Sequence, residues 1–280
     1  MKTLTMKILT WNIQWGLGIN RRLDLAGIAE HIAASDPDVI CLQEVADNMP
    51  DLEGSEGEDQ FATLARLLPG YFACEGPGLV AYGASGRRRF GNMILSRAPV
   101  RQVRLHSLPW LADGRQSMPR ALLEAMVEAP WGPLRVMTTH LEYFSAQARA
   151  AQAQAILRIL DEGASRAAAP PQARLGPYAP LPHTGSTVLT GDFNMKPDDP
   201  TLALLKGADA PLIDAWTLAQ PGQPHPPTFC IAERTYGPPQ CCDFIFVSAD
   251  LSKALMDLRC DGETRLSDHQ PLLLTLTVGA

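Results

Sequence analysis

The chain has 280 residues, with 24 Lys and Arg against 30 Asp and Glu, giving a net charge of −6 and a pI near 5.5. At 46% hydrophobic and 19% charged it holds enough apolar material for a core, which excludes disorder as its dominant state. Six cysteines without a C-x-x-C pair exclude a disulfide scaffold or a zinc clip, and the acidic balance argues against gripping long nucleic acid, which takes Lys and Arg.

In chain order, KILTWNI predicts a strand at 7–13, an apolar 3.6-residue pattern predicts a helix at 22–34, and DVICLQEV predicts a strand at 38–45 after Pro37. Residues 47–60 are acidic and apolar-poor and read as a surface loop before a short helix at 61–68. Strands are expected at 71–74, 79–82, 91–96, 99–106, 120–128 and 134–141, several spaced like an antiparallel meander. Ala146 to Leu160 reads as a helix with its apolar stripe on Ala150, Ala153, Ile156, Leu157 and Leu160.

An Ala/Pro-rich stretch at 163–185 predicts a long extended loop, which by its place before GDFN would wall a pocket there. Strands follow at 187–193, 242–248 and 271–278, with a second Pro-rich stretch at 221–239. No internal repeat is visible, and one domain spanning 1–280 is the expectation. Apolar runs fall well short of the roughly 18 residues that cross a bilayer. Thr3, Thr5 and Thr10 interrupt what would be a leader's apolar run, so a cytoplasmic protein with reduced thiols is expected.

Residues suited to metal or phosphate chemistry recur where predicted strands end: Asn12, Glu44, Asn92, His140, Asp192, Asn194, Asp243, Asp268 and His269. Asn12, Glu44, Asp192, Asn194 and Asp268 offer the hard oxygen donors that suit Mg²⁺, whereas zinc would want more His or Cys. Singly, each has a bland alternative as a surface carboxylate or a turn residue. His31, His106, His183 and His225 sit in no such pattern and read as structural or exposed.

The segments WNI (11–13), LQEV (42–45), GNMILS (91–96), THLE (139–142), GDFN (191–194), CDFIFVS (242–248) and SDHQPL (267–272) together resemble the endonuclease/exonuclease/phosphatase superfamily. The resemblance runs in order over nearly the whole chain. It implies an α/β fold, a four-layered sandwich of two mainly antiparallel sheets packed face to face with helices outside. It further implies Glu44 as principal ligand of Mg²⁺ or Mn²⁺, with Asn12 and Asp268 assisting, and His140 and His269 on the scissile phosphate. Asp243 would orient His269, Asp192 would align or deprotonate the attacking water, and Asn194 would hydrogen-bond the phosphate or that water. Arg120 and Asn92 would contact or support the substrate.

Two departures bear on substrate. Gln14 stands where abasic-site members of the superfamily carry an acidic residue, and His140 stands where they carry a tyrosine, so the chain is more similar to the DNase-I-like and sphingomyelinase-like branches. The run Arg87-Arg88-Arg89-Phe90 is a basic stretch beside an aromatic, more simply read as a solvated turn than as a phosphate contact. Cys241 and Cys242 are expected to pack rather than react.

The leading expectation is a metal-dependent phosphoesterase that cleaves a phosphodiester or monoester by in-line attack of water, on a small-molecule, lipid-headgroup or oligonucleotide substrate. A nuclease is the alternative within the enzyme class, with nucleic acid a partner the net charge does not favour. A non-catalytic phosphate- or protein-binding member is the alternative from another class. A binding relic should have lost some of Glu44, Asp192, Asn194, Asp243, Asp268 or His269, and all six are present. A glycosidase built on Glu44 and Asp192 would leave His140 and the Asp243/His269 pair without a task.

Overall fold

A computed structural model describes residues 3–84, 86–172, 174–206 and 210–279. Strand β1 (Thr3–Asn12) leads through the α1 helix (Leu25–Ser35) into β2 (Val39–Asp47), and β2 pairs with β1 in parallel, Ile8 opposite Val39 and Asn12 opposite Gln43. Helix α1 starts where the Asp24 carboxylate accepts the Gly27 N–H at 2.7 Å, and it ends at Asp36 in a left-handed conformation. Short α2 (Gln60–Leu67) then precedes a long hairpin of β3 (Phe72–Gly83) and β4 (Gly86–Ser96). With β11 (Leu255–Cys260) and β12 (Leu272–Gly279) these strands form one six-stranded sheet in the order β11-β12-β1-β2-β4-β3.

The second sheet repeats that plan. Strands β5 (Val100–Ser107), β6 (Ala121–Ala129) and β7 (Gly132–His140) form the meander, helix α3 (Ala146–Ala168) crosses over, and β8 (Thr187–Asp192) pairs with β7 in parallel. With β9 (Leu212–Asp214) and β10 (Asp243–Ser248) the order is β5-β6-β7-β8-β10-β9. In each sheet the third and fourth strands are the parallel pair and the remaining pairings are antiparallel. The two halves thus share a topology that has no counterpart as a sequence repeat.

The sheets pack face to face through Met6, Ile8, Val39, Cys41 and Ile94 on one side and Leu123, Ala125, Val136, Val188 and Ile245 on the other. Buried Gln43 ties them together, its amide donating to Thr138 Oγ1 at 2.8 Å across the interface. Helices α1 and α2 cover the outer face of the first sheet through Ile28, Ile32, Phe61 and Leu64. Helix α3 covers the second through Ile156 and Leu160, against Met137, Leu189 and Phe246. These are the four layers expected from the sequence.

Several elements differ from expectation. The separate strands at 71–74 and 79–82 are one strand, kept continuous across Pro77 by an irregularity between Pro77 and Leu79. Helix α3 runs on to Ala168, because alanines continue a helix readily, so the loop begins only after it. Strand β9, edge strand β11 and the short helices α4 (Ala203–Lys206) and α5 (Ala215–Ala219) are too brief to carry a periodic signal. No helix among the described residues is long and apolar enough to cross a membrane.

Candidate active site

The two parallel pairs place the site. At the end of the β1/β2 pair stand Asn12 and Glu44, and at the end of β7/β8 His140 lies directly opposite Asp192. Ligands commonly bind at the carboxyl ends of parallel strands, and here two such ends converge because the sheets are stacked. Glu44 sits at an irregularity in the β2/β4 pairing with a φ of 61°, a strained conformation that turns its carboxylate out of the ladder. Gly191, with a φ of 138°, lets β8 approach β7 so closely that a Cβ there would lie 1.9 Å from the Thr139 carbonyl oxygen.

Asn12 is fully buried and clamps the two carboxylates, its Nδ2 donating to Glu44 Oε1 and to Asp192 Oδ2, each at 3.0 Å. Its Oδ1 accepts from the Gln14 N–H at 3.1 Å. The expected metal-assisting residue therefore presents an N–H to the acidic groups, and its oxygen is tied to the backbone. Asp192 Oδ2 is 3.5 Å from His140 Nε2 and 3.7 Å from His269 Nε2, and His269 Nδ1 is 2.9 Å from Asp243 Oδ2. Ser267 Oγ donates to the Asn12 carbonyl and accepts from the His269 N–H, which fastens the Asp268-His269 turn to the end of β1.

The two histidines are in opposite states. Burial opposes charge on His269, but Asp243 and Asp192 outweigh it and hold its pKa well above the ordinary range, so it is a cation. Burial, Arg120 and His269 push His140 well below that range, so it is neutral. Burial and the Asp268 carboxylate raise Glu44 to about 7. Burial likewise raises Asp192 to about 6, with His269 opposing and Asp243 reinforcing the rise. Burial also raises Asp268. Glu44, Asp192 and Asp268 therefore carry a strain of desolvation and like charge that a bound cation would relieve.

Arg120, immediately before β6, is buried with its Nε 3.6 Å from Glu142 Oε2, and its Nε and Nη1 have no hydrogen-bond partner. Asn92, buried on β4 and outside the cavity lining, donates its amide to the Ala121 carbonyl at 3.0 Å, and its Oδ1 has no partner among the described residues. Asn194 donates one N–H of its Nδ2 to the Leu141 carbonyl at 2.9 Å, and its backbone N–H donates to Asp192 Oδ1 at 2.9 Å.

These groups floor a cavity of about 310 Å³ bounded by Gln14, Glu44, Arg120, His140, Asp192 and His269. Its walls are aromatic, with Trp15, Phe90, Tyr143, Phe144, Phe229 and Tyr236 around the mouth. Phe229 stacks on Tyr236 at 6.1 Å and its ring lies 4.5 Å from that of His269. Of this rim the sequence reading singles out only Phe90, on β4 beside the arginine run; the other rings lie outside the strands, where no periodicity marks them.

Other expectations meet the structure differently. The Ala/Pro stretch does not wall this cavity, because it feeds into the start of β8 at Thr187 while the site lies at that strand's other end. Arg89 is no solvated turn residue: it is buried on β4 and held by Asp47, Asp59 and Glu75, and only Phe90 of that run reaches the cavity. His31, His106 and His225 pair with Asp261, Glu124 and Asp214 at 3.0, 2.9 and 2.9 Å. Cys241 and Cys242 are buried, and burial raises both thiols. Ligand atoms of Asp192, Cys242 and His269, all buried, lie within 4.8 Å of one another.

On a two-sheet α/β sandwich, Asn12 and Glu44 at the end of one parallel pair thus meet His140 and Asp192 at the end of the other. The family model described as Endonuclease/Exonuclease/phosphatase family matches residues 9–269, and the chain belongs to that family. No curated protein matches it. Among solved structures it is similar to an endonuclease/exonuclease/phosphatase from Beutenbergia cavernae, with a TM-score of 0.71 and 24% identity over 99% of this chain and 72% of that one. It is also similar to a mannosyl-6-phosphatase of Bacteroides thetaiotaomicron, with TM-score 0.69 and 16% identity over 98% and 100% of the two chains. TDP2 of D. rerio, complexed with a single-strand DNA product, gives TM-score 0.68 and 22% identity over 98% and 99%. At these identities the neighbours share the fold.

Proposed function

We propose that the chain is a divalent-cation-dependent phosphoesterase that hydrolyses an organic phosphodiester or monoester by direct attack of water. The observation that carries this reading is the pairing, in one small cavity, of a carboxylate poised to take a proton, Asp192, with a fixed imidazolium, His269. The family of the chain and the names of its neighbours, a phosphatase among them, support it.

Glu44 and Asp268 fit a cation, being oxygen donors whose carboxyl groups are raised by burial and, for Glu44, by the other's charge. A bound Mg²⁺ or Mn²⁺ supplies charge at the phosphoryl oxygens. Asp192, raised to about 6, removes the proton from the attacking water, a task best done by a group titrating near the working pH. Asn12 holds Glu44 and Asp192 in register. His269, oriented by Asp243 at 2.9 Å, and the free donors of Arg120 meet the negative charge that grows on the phosphorus oxygens. Neutral His140 offers an N–H toward the same oxygens without adding charge.

The aromatic mouth and the net charge of −6 favour a compact substrate with a planar or apolar group next to its phosphate over long duplex DNA. The test is hydrolysis of bis-p-nitrophenyl phosphate and p-nitrophenyl phosphate with Mg²⁺, with Mn²⁺ and with chelator. Turnover that needs the cation supports the reading, and the ratio of the two rates separates diester from monoester action. Metal-independent turnover, or none on either ester or on short oligonucleotides, contradicts it.

A further inference from the structure

A second cavity, of about 270 Å³, lies on the outer side of the second sheet, under the C-terminal turns of α3 and the segment that follows it. Arg104 of β5, Glu124 of β6 and Arg135 of β7 form its floor, and Arg166 of α3, His183 and Thr184 its walls. Arg135 lies five residues before His140 on the same strand, so this cavity is set back along β7 from the site described above.

The donors here outnumber the acceptors. Glu124 is the carboxylate of the lining, and it is already engaged, by Arg135 through two contacts of 3.3 and 3.2 Å and by His106 at 2.9 Å. Arg135 spends its Nε and Nη2 on Glu124 and the Ile159 carbonyl, which leaves Nη1 over. Arg104 comes no nearer to Glu124 than 3.9 Å, too far for a hydrogen bond. Arg166 donates Nη2 to Glu162 at 3.1 Å, and its Nη1 is buried without a partner. Gly163 of α3 leaves the space in which the Arg135 guanidinium sits, since a Cβ there would lie 2.0 Å from Nη1. Three guanidiniums thus converge on a concavity whose one carboxylate is spoken for, on a chain that is acidic as a whole.

We infer that this cavity is a binding site for a compact polyanion, of phosphate-ester or polycarboxylate type, gripped by Arg104 and Arg166 and based on Arg135. Guanidinium forks suit such groups because they offer paired, parallel donors to neighbouring anionic oxygens. The volume admits a ligand no larger than a small phosphorylated metabolite. The inference does not depend on the proposed reaction.

Calorimetric titration of the whole chain with inorganic pyrophosphate, and separately with citrate, in the presence of chelator tests this. Arg104→Ser and Arg166→Ser together lie at half-exposed positions and should leave the fold and the hydrolysis of p-nitrophenyl esters unchanged. The wild-type chain should bind at least one of the two anions, the Asp192→Asn variant should bind it equally, and the double variant should bind it about tenfold or more weakly. The preferred anion tells phosphate from carboxylate recognition. Equal binding by the wild type and the double variant, or no binding of either anion at millimolar concentration, overturns the inference.

Discussion

Asp243 Oδ2 lies 2.9 Å from His269 Nδ1, and the opposite face of that imidazole, Nε2, points to Asp192 at 3.7 Å. One ring is thus held between two carboxylates on neighbouring strands, Asp243 opposite Asp192 in the β8/β10 ladder. Strand pairing sets the spacing of the two carboxylates, and the turn that Ser267 fastens to the end of β1 carries the imidazole between them.

If Asp243 keeps His269 charged, Asp243→Asn should lower turnover by about 10²- to 10⁴-fold. The pH profile gives a second reading. Asp243 raises the His269 pKa, so its loss should move the alkaline limb of the profile to lower pH. A profile of unchanged shape would place the proton elsewhere.

Burial raises Glu44 to about 7 and Asp192 to about 6, so the stability their protonation lends the fold is present in acid and is lost as pH rises through those values, and Asp268, also raised, acts in the same sense. A cation that binds the ionised groups should compensate. Mg²⁺ should therefore raise the melting temperature by several degrees at pH 8 and by much less at pH 5. An equal shift at both values would separate the cation from these carboxylates.

Glu124 behaves in the opposite sense. Burial would raise it, but His106 and Arg135 outweigh burial and hold it at about 2. Its contribution is present above the ordinary glutamate value near 4.3 and is lost as pH falls toward 2. Glu124→Gln should cost about 3 kcal/mol at pH 7, because it strands the buried Arg135 charge, and should flatten acid denaturation in that window. Urea titration at pH 7 and pH 3 measures both effects.

Two glycines are fixed by contact rather than by turn geometry. Gly163→Ala would gain helix propensity in α3 but drive a methyl into Arg135, and a net loss of about 1 to 3 kcal/mol is expected. Gly191→Ala meets backbone, the Thr139 carbonyl, and should cost about 3 kcal/mol or more and abolish activity with it. Thermal melts of the two variants decide whether these close approaches are real constraints.

The four layers were legible through the resemblance of seven segments to the superfamily, with which the alternation of strand and helix patterns is compatible, and the same resemblance grouped Glu44, His140, Asp192 and His269. What stayed hidden has physical causes. Asn12 looks like an oxygen ligand in a sequence, yet only the stacking of the two sheets brings its Nδ2 to both Glu44 and Asp192. Arg89 reads as part of a basic run, because its partners Asp47, Asp59 and Glu75 are distant in the chain. The Ala/Pro stretch is adjacent to GDFN in sequence but a whole strand away from it in space.

The division of labour between Glu44 and Asp192 is the central claim, and one titration addresses it: turnover of p-nitrophenyl phosphate esters against Mg²⁺ concentration for the wild type, Glu44→Gln and Asp192→Asn. Glu44→Gln should raise the half-activating Mg²⁺ concentration by about tenfold or more, while Asp192→Asn should lower the saturating rate by about 10²-fold or more at a nearly unchanged half-activating concentration. An unshifted curve for Glu44→Gln, or near-wild-type saturating turnover for Asp192→Asn, would contradict it.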